Sequence, residues 1–237
     1  VLNCQSVTLA KLAVASTMYN SLTPFNSSLK GLNDDTGGSI DLRNSRHCCR
    51  LMKWLNDWGC RHLPEDQHDV AAKSILNWYR VEGASLFARE KPLWDLGDGE
   101  LKVAARAYGS LKDKTGAWRV HGRSQQEVHI GPTAASKILY AIRPKALMPW
   151  DNAMRTSFEC DGSFESYFKY LREIRDFTSH IGNLCRDKGF QVDDLPNKLG
   201  RPDSTVLALV NEYIWVTETR KVKLPSSETL AQWASLG

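Results

Sequence analysis

The sequence predicts a mainly α-helical protein, and three observations carry that reading. Apolar residues return at three- and four-residue intervals along most of the chain. Capping residues (Ser, Thr, Asn, Asp) open these stretches, and Gly or Pro closes them. Strand-like alternation is confined to one short segment, so a few short strands are the most the pattern allows.

Taken in order, Ser6 to Leu22 reads as a helix with Leu9, Leu12, Ala13 and Ser16 on one face, ended by Pro24. Phe25 to Arg43 is rich in Asn, Ser, Asp and Gly, the composition of a loop or a lid. Asn44 or Ser45 can cap the next helix, which runs to Trp58 and stops at Gly59; its Leu51, Trp54, Leu55 and Trp58 form an apolar stripe suited to a core. Asp66 to Ala88 is expected to be helical, with Val70, Ile75, Trp78 and Tyr79 inward and a break near Gly83. Leu101, Ala104, Tyr108 and Leu111 define a helix over Glu100 to Lys114. Thr115 to Val128 holds Gly116, Gly122 and an alternating Trp118 and Val120, which fits either a short strand or an irregular loop. Ser163 to Lys188 is the longest helix, a continuous stripe from Phe164 to Leu184 stopped by Gly189. Pro202-Asp203 opens an apolar helix through Val216, and Pro225-Ser226 opens a last one toward Leu236.

The chain is organised around His129 to Asp151. Gly131-Pro132-Thr133 is a turn that opens a helix ended at Pro144, with Thr133 as N-cap and free backbone N–H groups that suit one phosphate. Ile138, Leu139 and Ile142 would bury one face, leaving Ser136, Lys137, Tyr140 and Arg143 to solvent or to a partner. Pro149 keeps Met148 extended, and Asp151 fits the N-cap of a helix from Asn152 to Glu159.

These residues resemble a family. A small residue, Gly131, Ala135, a helix, Pro144 and then Asp151 look like the hairpin and catalytic acid of the helix-hairpin-helix DNA glycosylases, nearest to bacterial proteins of 8-oxoguanine DNA glycosylase fold. The motif match spans roughly residues 128–158. It implies one helical glycosylase-like unit over residues 1–237, in one body or two interleaved lobes, with the hairpin and catalytic segment at 128–158. It also implies a phosphate grip at Gly131 and Thr133 and chemistry at the anomeric carbon by Asp151. The sequence departs from the pattern in two ways. A second hairpin glycine is missing after Pro132, and the position that holds a Schiff-base lysine in bifunctional members falls near Thr133, which points to water as the nucleophile. The first hairpin helix would fall within Thr115 to Val128, where the pattern does not show one.

With 237 residues, 42% of them apolar, the chain can bury a sizeable core. The net charge of +4 is unevenly spread: Glu100 to Cys160 carries ten Lys and Arg against five acids, so the whole surplus surrounds the Gly131 turn and the rest of the chain is close to neutral. A basic segment about a phosphate-binding turn suits double-stranded DNA, although a solvated helix surface would have the same composition. His129, Gly131, Thr133, Ser136, Lys145 and Arg155 are the candidate backbone contacts. Six cysteines show no secreted framework, and Cys48, Cys49, Cys60 and the nearby histidines lack metal-ligand spacing, so neither metal nor cofactor is expected. No apolar run spans a bilayer and no leader is evident, so a cytoplasmic monomer is expected.

Breaking an N-glycosidic bond builds positive charge on the sugar, which a fixed carboxylate offsets, and this is the role expected of Asp151. Lys137, one turn after Thr133, could reach the same sugar as an amine nucleophile, or else serve as a phosphate contact. A base drawn from a duplex needs an apolar pocket, and eight tryptophans exceed what the core requires. Trp150, beside Asp151, leads the candidates, with Trp118, Trp94 and Trp78. The resemblance leaves 8-oxoguanine and a hypermodified phage pyrimidine, in antiphage defence, as equal substrate expectations. A DNA-binding module without chemistry is the competing class, in which Asp151 is only a cap. A nuclease or toxin-like protein acting on RNA is a weaker one, for want of paired metal-binding acids.

Overall fold

The computed structural model describes residues 7–121 and 124–235. Ser6, Cys4, Gly122 and Leu236, which the sequence reading invoked, lie outside the described residues. Among those residues are eleven α-helices and one two-stranded antiparallel ribbon, so the mainly α reading holds.

The capping residues act as their chemistry dictates. Thr8 caps α1 (Leu9–Leu22), Asn44 caps α3 (Ser45–Asp57), Ser163 caps α8 (Phe164–Asp187) and Ser226 caps α11 (Ser227–Ala234), each side-chain oxygen accepting a first-turn backbone N–H. Between α1 and α3 the structure overturns the expected loop: Phe25–Asp35 is a helix, α2. Phe25, Leu29 and Leu32 fall at i, i+4 and i+7 and pack on the core, and this tertiary contact outweighs the poor helix propensity of the Asn, Ser and Gly residues between them.

A single 3-10 turn leads into α4 (His68–Val81), and the chain breaks at Gly83 as expected. Then come α5 (Asp98–Lys112), β1 (Thr115–His121), β2 (Ser124–His129) and α6 (Gly131–Ile142). The segment before α6 is therefore a β-ribbon and not a hairpin helix; α5 is the helix that packs on α6. The ribbon closes where Ile130 N–H donates to the Lys114 carbonyl at 2.9 Å.

Every residue of α6 from Ala134 to Ile142 is buried, which corrects the expectation of a solvent face carrying Ser136, Lys137 and Tyr140. The helix has neighbours on all sides, α5 and α3 among them, and so has no face to give to water. Thr133 is likewise not its cap: the helix starts two residues earlier, with Gly131 at φ +78°, a left-handed conformation that glycine adopts without a Cβ clash.

After α6 the extended Met148-Pro149-Trp150 segment is fixed by buried phenols of α8. Tyr167 donates to the Met148 carbonyl at 2.9 Å and Tyr170 to that of Pro149 at 3.0 Å. From the other side, Trp150 N–H donates to the Ser136 hydroxyl at 3.1 Å. The segment ends at α7 (Asn152–Ser157). Beyond α8 and the short α9 (Leu195–Lys198), α10 (Val206–Ile214) starts at the Thr205 cap, later than Pro202 suggested, and runs on as a π-turn over Trp215–Thr219. Glu212 of α10 is fully buried; it accepts from Arg201 at 3.0 and 3.2 Å and from Asn26 at 2.7 Å, tying α10 to α2. Among the described residues no helix is long and apolar enough to cross a membrane.

Candidate functional site

Two charged side chains from the central stretch open into one pocket. Asp151 is the N-cap of α7: its Oδ1 accepts the Met154 N–H at 2.7 Å, and its Oδ2 accepts the Thr219 hydroxyl at 2.8 Å. The first bond is ordinary capping; the second comes from the π-turn, packed against α7, and fixes the carboxylate's rotation. Lys137 projects from the second turn of α6. Its Nζ donates to the Trp58 carbonyl, lies 5.6 Å from the centre of the Trp58 ring and meets the Cys60 thiol. Burial pushes the Cys60 thiol up, and the neighbouring Lys137 opposes that shift.

The pocket that Lys137 and Asp151 share has a volume of about 290 Å³, its mouth included. Its remaining walls are Tyr19, Phe25, Trp58, Pro149, Trp150, Met154, Asn211 and Trp215. Trp215 meets Tyr19 edge-on at 5.1 Å, Phe25 tilts onto Trp58 at 5.7 Å, and Trp58 stacks on Tyr140 at 5.7 Å. Trp150 is wedged among Tyr108, Tyr167 and Tyr170 and donates its indole N–H to the Pro132 carbonyl at 3.2 Å. The aromatic walls are thus braced from behind and frame a narrow apolar slot.

Of the four tryptophans expected at such a pocket, only Trp150 lines it. Trp78 is core, buried beneath α4. Trp94 lies in a separate groove with Glu90, Lys145 and Asp193. Trp118 is exposed on β1, its backbone N–H and carbonyl both bonded to the side chain of Gln67, at 2.6 and 2.8 Å. In place of these three the structure supplies Trp58 and Trp215, with Tyr19 and Phe25. Trp58 stood within a stripe assigned to the core. The polar Asn211 and Glu212, interrupting an apolar run, were the only local signal in α10.

The six expected backbone contacts divide. His129, at the end of β2 and exposed, leads directly to Gly131 and Thr133 at the start of α6. His62 braces this turn through a 2.8 Å contact of its Nε2 with the Ile130 carbonyl. Arg155 reaches the same place: a Cβ on Gly162 would sit 2.7 Å from its Nη1 and 3.3 Å from Pro132, so only glycine lets the guanidinium lie against this turn. Its Nε is buried and has no hydrogen-bond partner among the described residues. A positive helix end with an underused guanidinium beside it is an arrangement that receives an anion. Ser136 and Lys145 do not join it. Ser136 is fully buried, bonded to the Trp150 backbone, and so cannot meet a strand. Lys145 lies past the far end of α6, about 18 Å along a twelve-residue helix, and is paired with Glu90.

Cys48 and Cys185 are buried, as is Cys60, whereas Cys49 is exposed. Among the described residues no three of His, Cys, Asp and Glu gather in a group that could hold a metal ion. Compared with protein-family models, with curated proteins and with solved structures, the chain finds no match in any of the three.

Proposed function

We propose that the chain is a DNA glycosylase of helix-hairpin-helix type, which draws one base out of a duplex and breaks its N-glycosidic bond to leave an abasic site. The observation that carries this reading is the convergence of Lys137 and Asp151 on a single pocket with aromatic walls. A planar base is the ligand such walls accept, a carboxylate can offset the charge this bond cleavage builds on the sugar, and an amine can serve as its nucleophile.

The packing of α6 on α5 supports the hairpin reading, with the β1–β2 ribbon standing where a tight turn would otherwise join the two helices. The start of α6, with His129, Thr133 and Arg155, is where a phosphate of the strand would be gripped. Trp150 links that grip to the pocket, since its indole bonds Pro132 while its neighbour Asp151 faces the base.

As the base departs with the bonding electrons, positive charge develops on the sugar. Asp151, its carboxylate fixed by Met154 and Thr219, offsets that charge without having to reorganise. Either water or the amine of Lys137 can then close on the anomeric carbon. The placement of Lys137 in the pocket favours the amine, against the earlier argument from Thr133, which lies outside it. In that route the lone pair of neutral Nζ forms a bond to the anomeric carbon as the base leaves with the old bonding pair and takes up a proton. One proton of the bound amine then passes to the ring oxygen O4′ as the C1′–O4′ bond breaks, and the open-chain iminium so formed loses a C2′ proton and expels the 3′ phosphate, breaking the strand.

The test is to incubate the purified protein with duplexes and genomic DNAs, normal, oxidised and from phages with modified cytosines, and to count abasic sites before and after alkali. Abasic sites confined to one kind of DNA are expected, with strand breaks before alkali in the amine route and only after it in the water route. Tight binding with no abasic site in any DNA would overturn the proposal in favour of a non-catalytic binding module.

A further inference from the structure

The chemistry above uses Lys137 and Asp151 but leaves one buried group of the pocket without a task. Asn211 is 5% exposed, lines the pocket, and makes no side-chain hydrogen bond among the described residues. Its neighbour Glu212, equally buried, has its oxygens taken up by Arg201 and Asn26. Buried polar groups are nearly always paired, and one left open toward a cavity marks the place of a ligand atom. A carboxamide offers two donors and an acceptor side by side, the complement of the hydrogen-bonding edge of a nucleobase.

Position supports the same assignment. Asn211 lies one turn before Trp215, whose N–H bonds the Asn211 carbonyl, so an edge-reading group and an aromatic wall share one helix face. Thr219, a further turn along the π-turn, holds Asp151. A base lying against Trp215 would therefore turn its polar edge to Asn211 and its glycosidic bond toward Asp151.

We infer that Asn211 is the specificity-determining residue of this pocket, reading the hydrogen-bonding edge of the extruded base. The inference rests on the glycosylase reading and deepens it.

The test compares the wild type with Asn211→Leu and Asn211→Asp, both close to Asn in size. The duplexes carry 8-oxoguanine, uracil, 5-hydroxymethylcytosine or its glucosylated form, and the readouts are single-turnover base release and thermal unfolding. Asn211→Leu should lower release roughly 10- to 100-fold, the worth of a paired carboxamide contact, at nearly unchanged melting temperature. Asn211→Asp, which only accepts hydrogen bonds, should reorder the substrates toward bases whose edge presents an amino group. A merely structural role for Asn211 would not reorder them. The inference is overturned if both variants keep the wild-type rates and order. Absence of release by the wild type from every duplex overturns the glycosylase reading, and this inference with it; release indifferent to Asn211 overturns this inference alone.

Discussion

Replacing Asp151 by Asn separates chemistry from folding because the two jobs of this side chain depend on different properties. As a cap, Asn accepts the Met154 N–H about as well as Asp, so the start of α7 should survive. What the fold loses is the charge at the helix end, about 0.3–1 kcal/mol, and the charge assistance in the Thr219 bond, about 1 kcal/mol. The sum, about 1–2 kcal/mol, lowers the melting temperature by about 2–8 °C in a chain of this length. The chemical loss is larger. A carboxylate about 4 Å from a developing unit charge, at an effective dielectric constant of about 20, contributes about 4 kcal/mol, close to a thousandfold in rate. The assay is single-turnover base release with DNA affinity and thermal unfolding measured on the same preparation. Release should fall about a thousandfold with affinity unchanged. A variant that retains more than a tenth of the wild-type rate would refute the catalytic role of Asp151. A variant that loses its fold and its affinity together would refute the claim that the cap tolerates Asn.

Three other perturbations follow from the same geometry. Thr219→Val removes the hydroxyl that fixes Oδ2 of Asp151, so base release should fall about 10- to 100-fold while Thr219→Ser restores it; equal rates in both variants would remove Thr219 from the account. Arg201→Ala strips the partner from the buried Glu212 carboxylate and should cost about 3–5 kcal/mol in denaturant unfolding, whereas a loss under about 1 kcal/mol would mean that water reaches Glu212. Burial pushes Cys48 up to about 12 and Cys185 to about 11, and raises Cys60, so at pH 8 a thiol reagent should label the exposed Cys49 in the native protein and these three only after unfolding. The native state keeps those protons where the unfolded chain, with thiols near 9.0, gives them up, so folding stability should be complete below pH 9 and decline above it. A stability flat from pH 8 to 11 would contradict the buried thiols.

The parts of the fold that were legible in the sequence are those set by local chemistry. Caps such as Asn44, Asp151 and Ser163 announce helix starts because a short polar side chain can satisfy a free N–H wherever the rest of the chain goes. The stripe of α8 was equally plain, since its apolar residues recur over 24 residues. Two failures share a cause. In α2, three apolar residues among Asn and Ser decide the structure through contacts with residues far along the chain. In α6, the period was right but the inference of a wet face was not, because periodicity cannot count the neighbours that surround a helix. Asp151 and Lys137 could be named from the central stretch because both lie in it. The pocket walls could not: Tyr19, Phe25, Trp58, Asn211 and Trp215 come from four distant segments, and each taken alone reads as ordinary core. Trp118 and Trp94 misled for the converse reason: Trp118 stands in the basic segment but on an exposed strand, and Trp94 lines a separate groove.

The central claim is that the pocket of Lys137 and Asp151 cuts the bond between a base and its sugar. The most direct measurement is mass spectrometry of the small molecules released when the protein is incubated with DNA from oxidised cells and from phages with modified bases. The account predicts free base in the small-molecule fraction, without nucleotides, and its disappearance with Asp151→Asn. Release of nucleotides, or of nothing from DNA that the protein binds tightly, would contradict it.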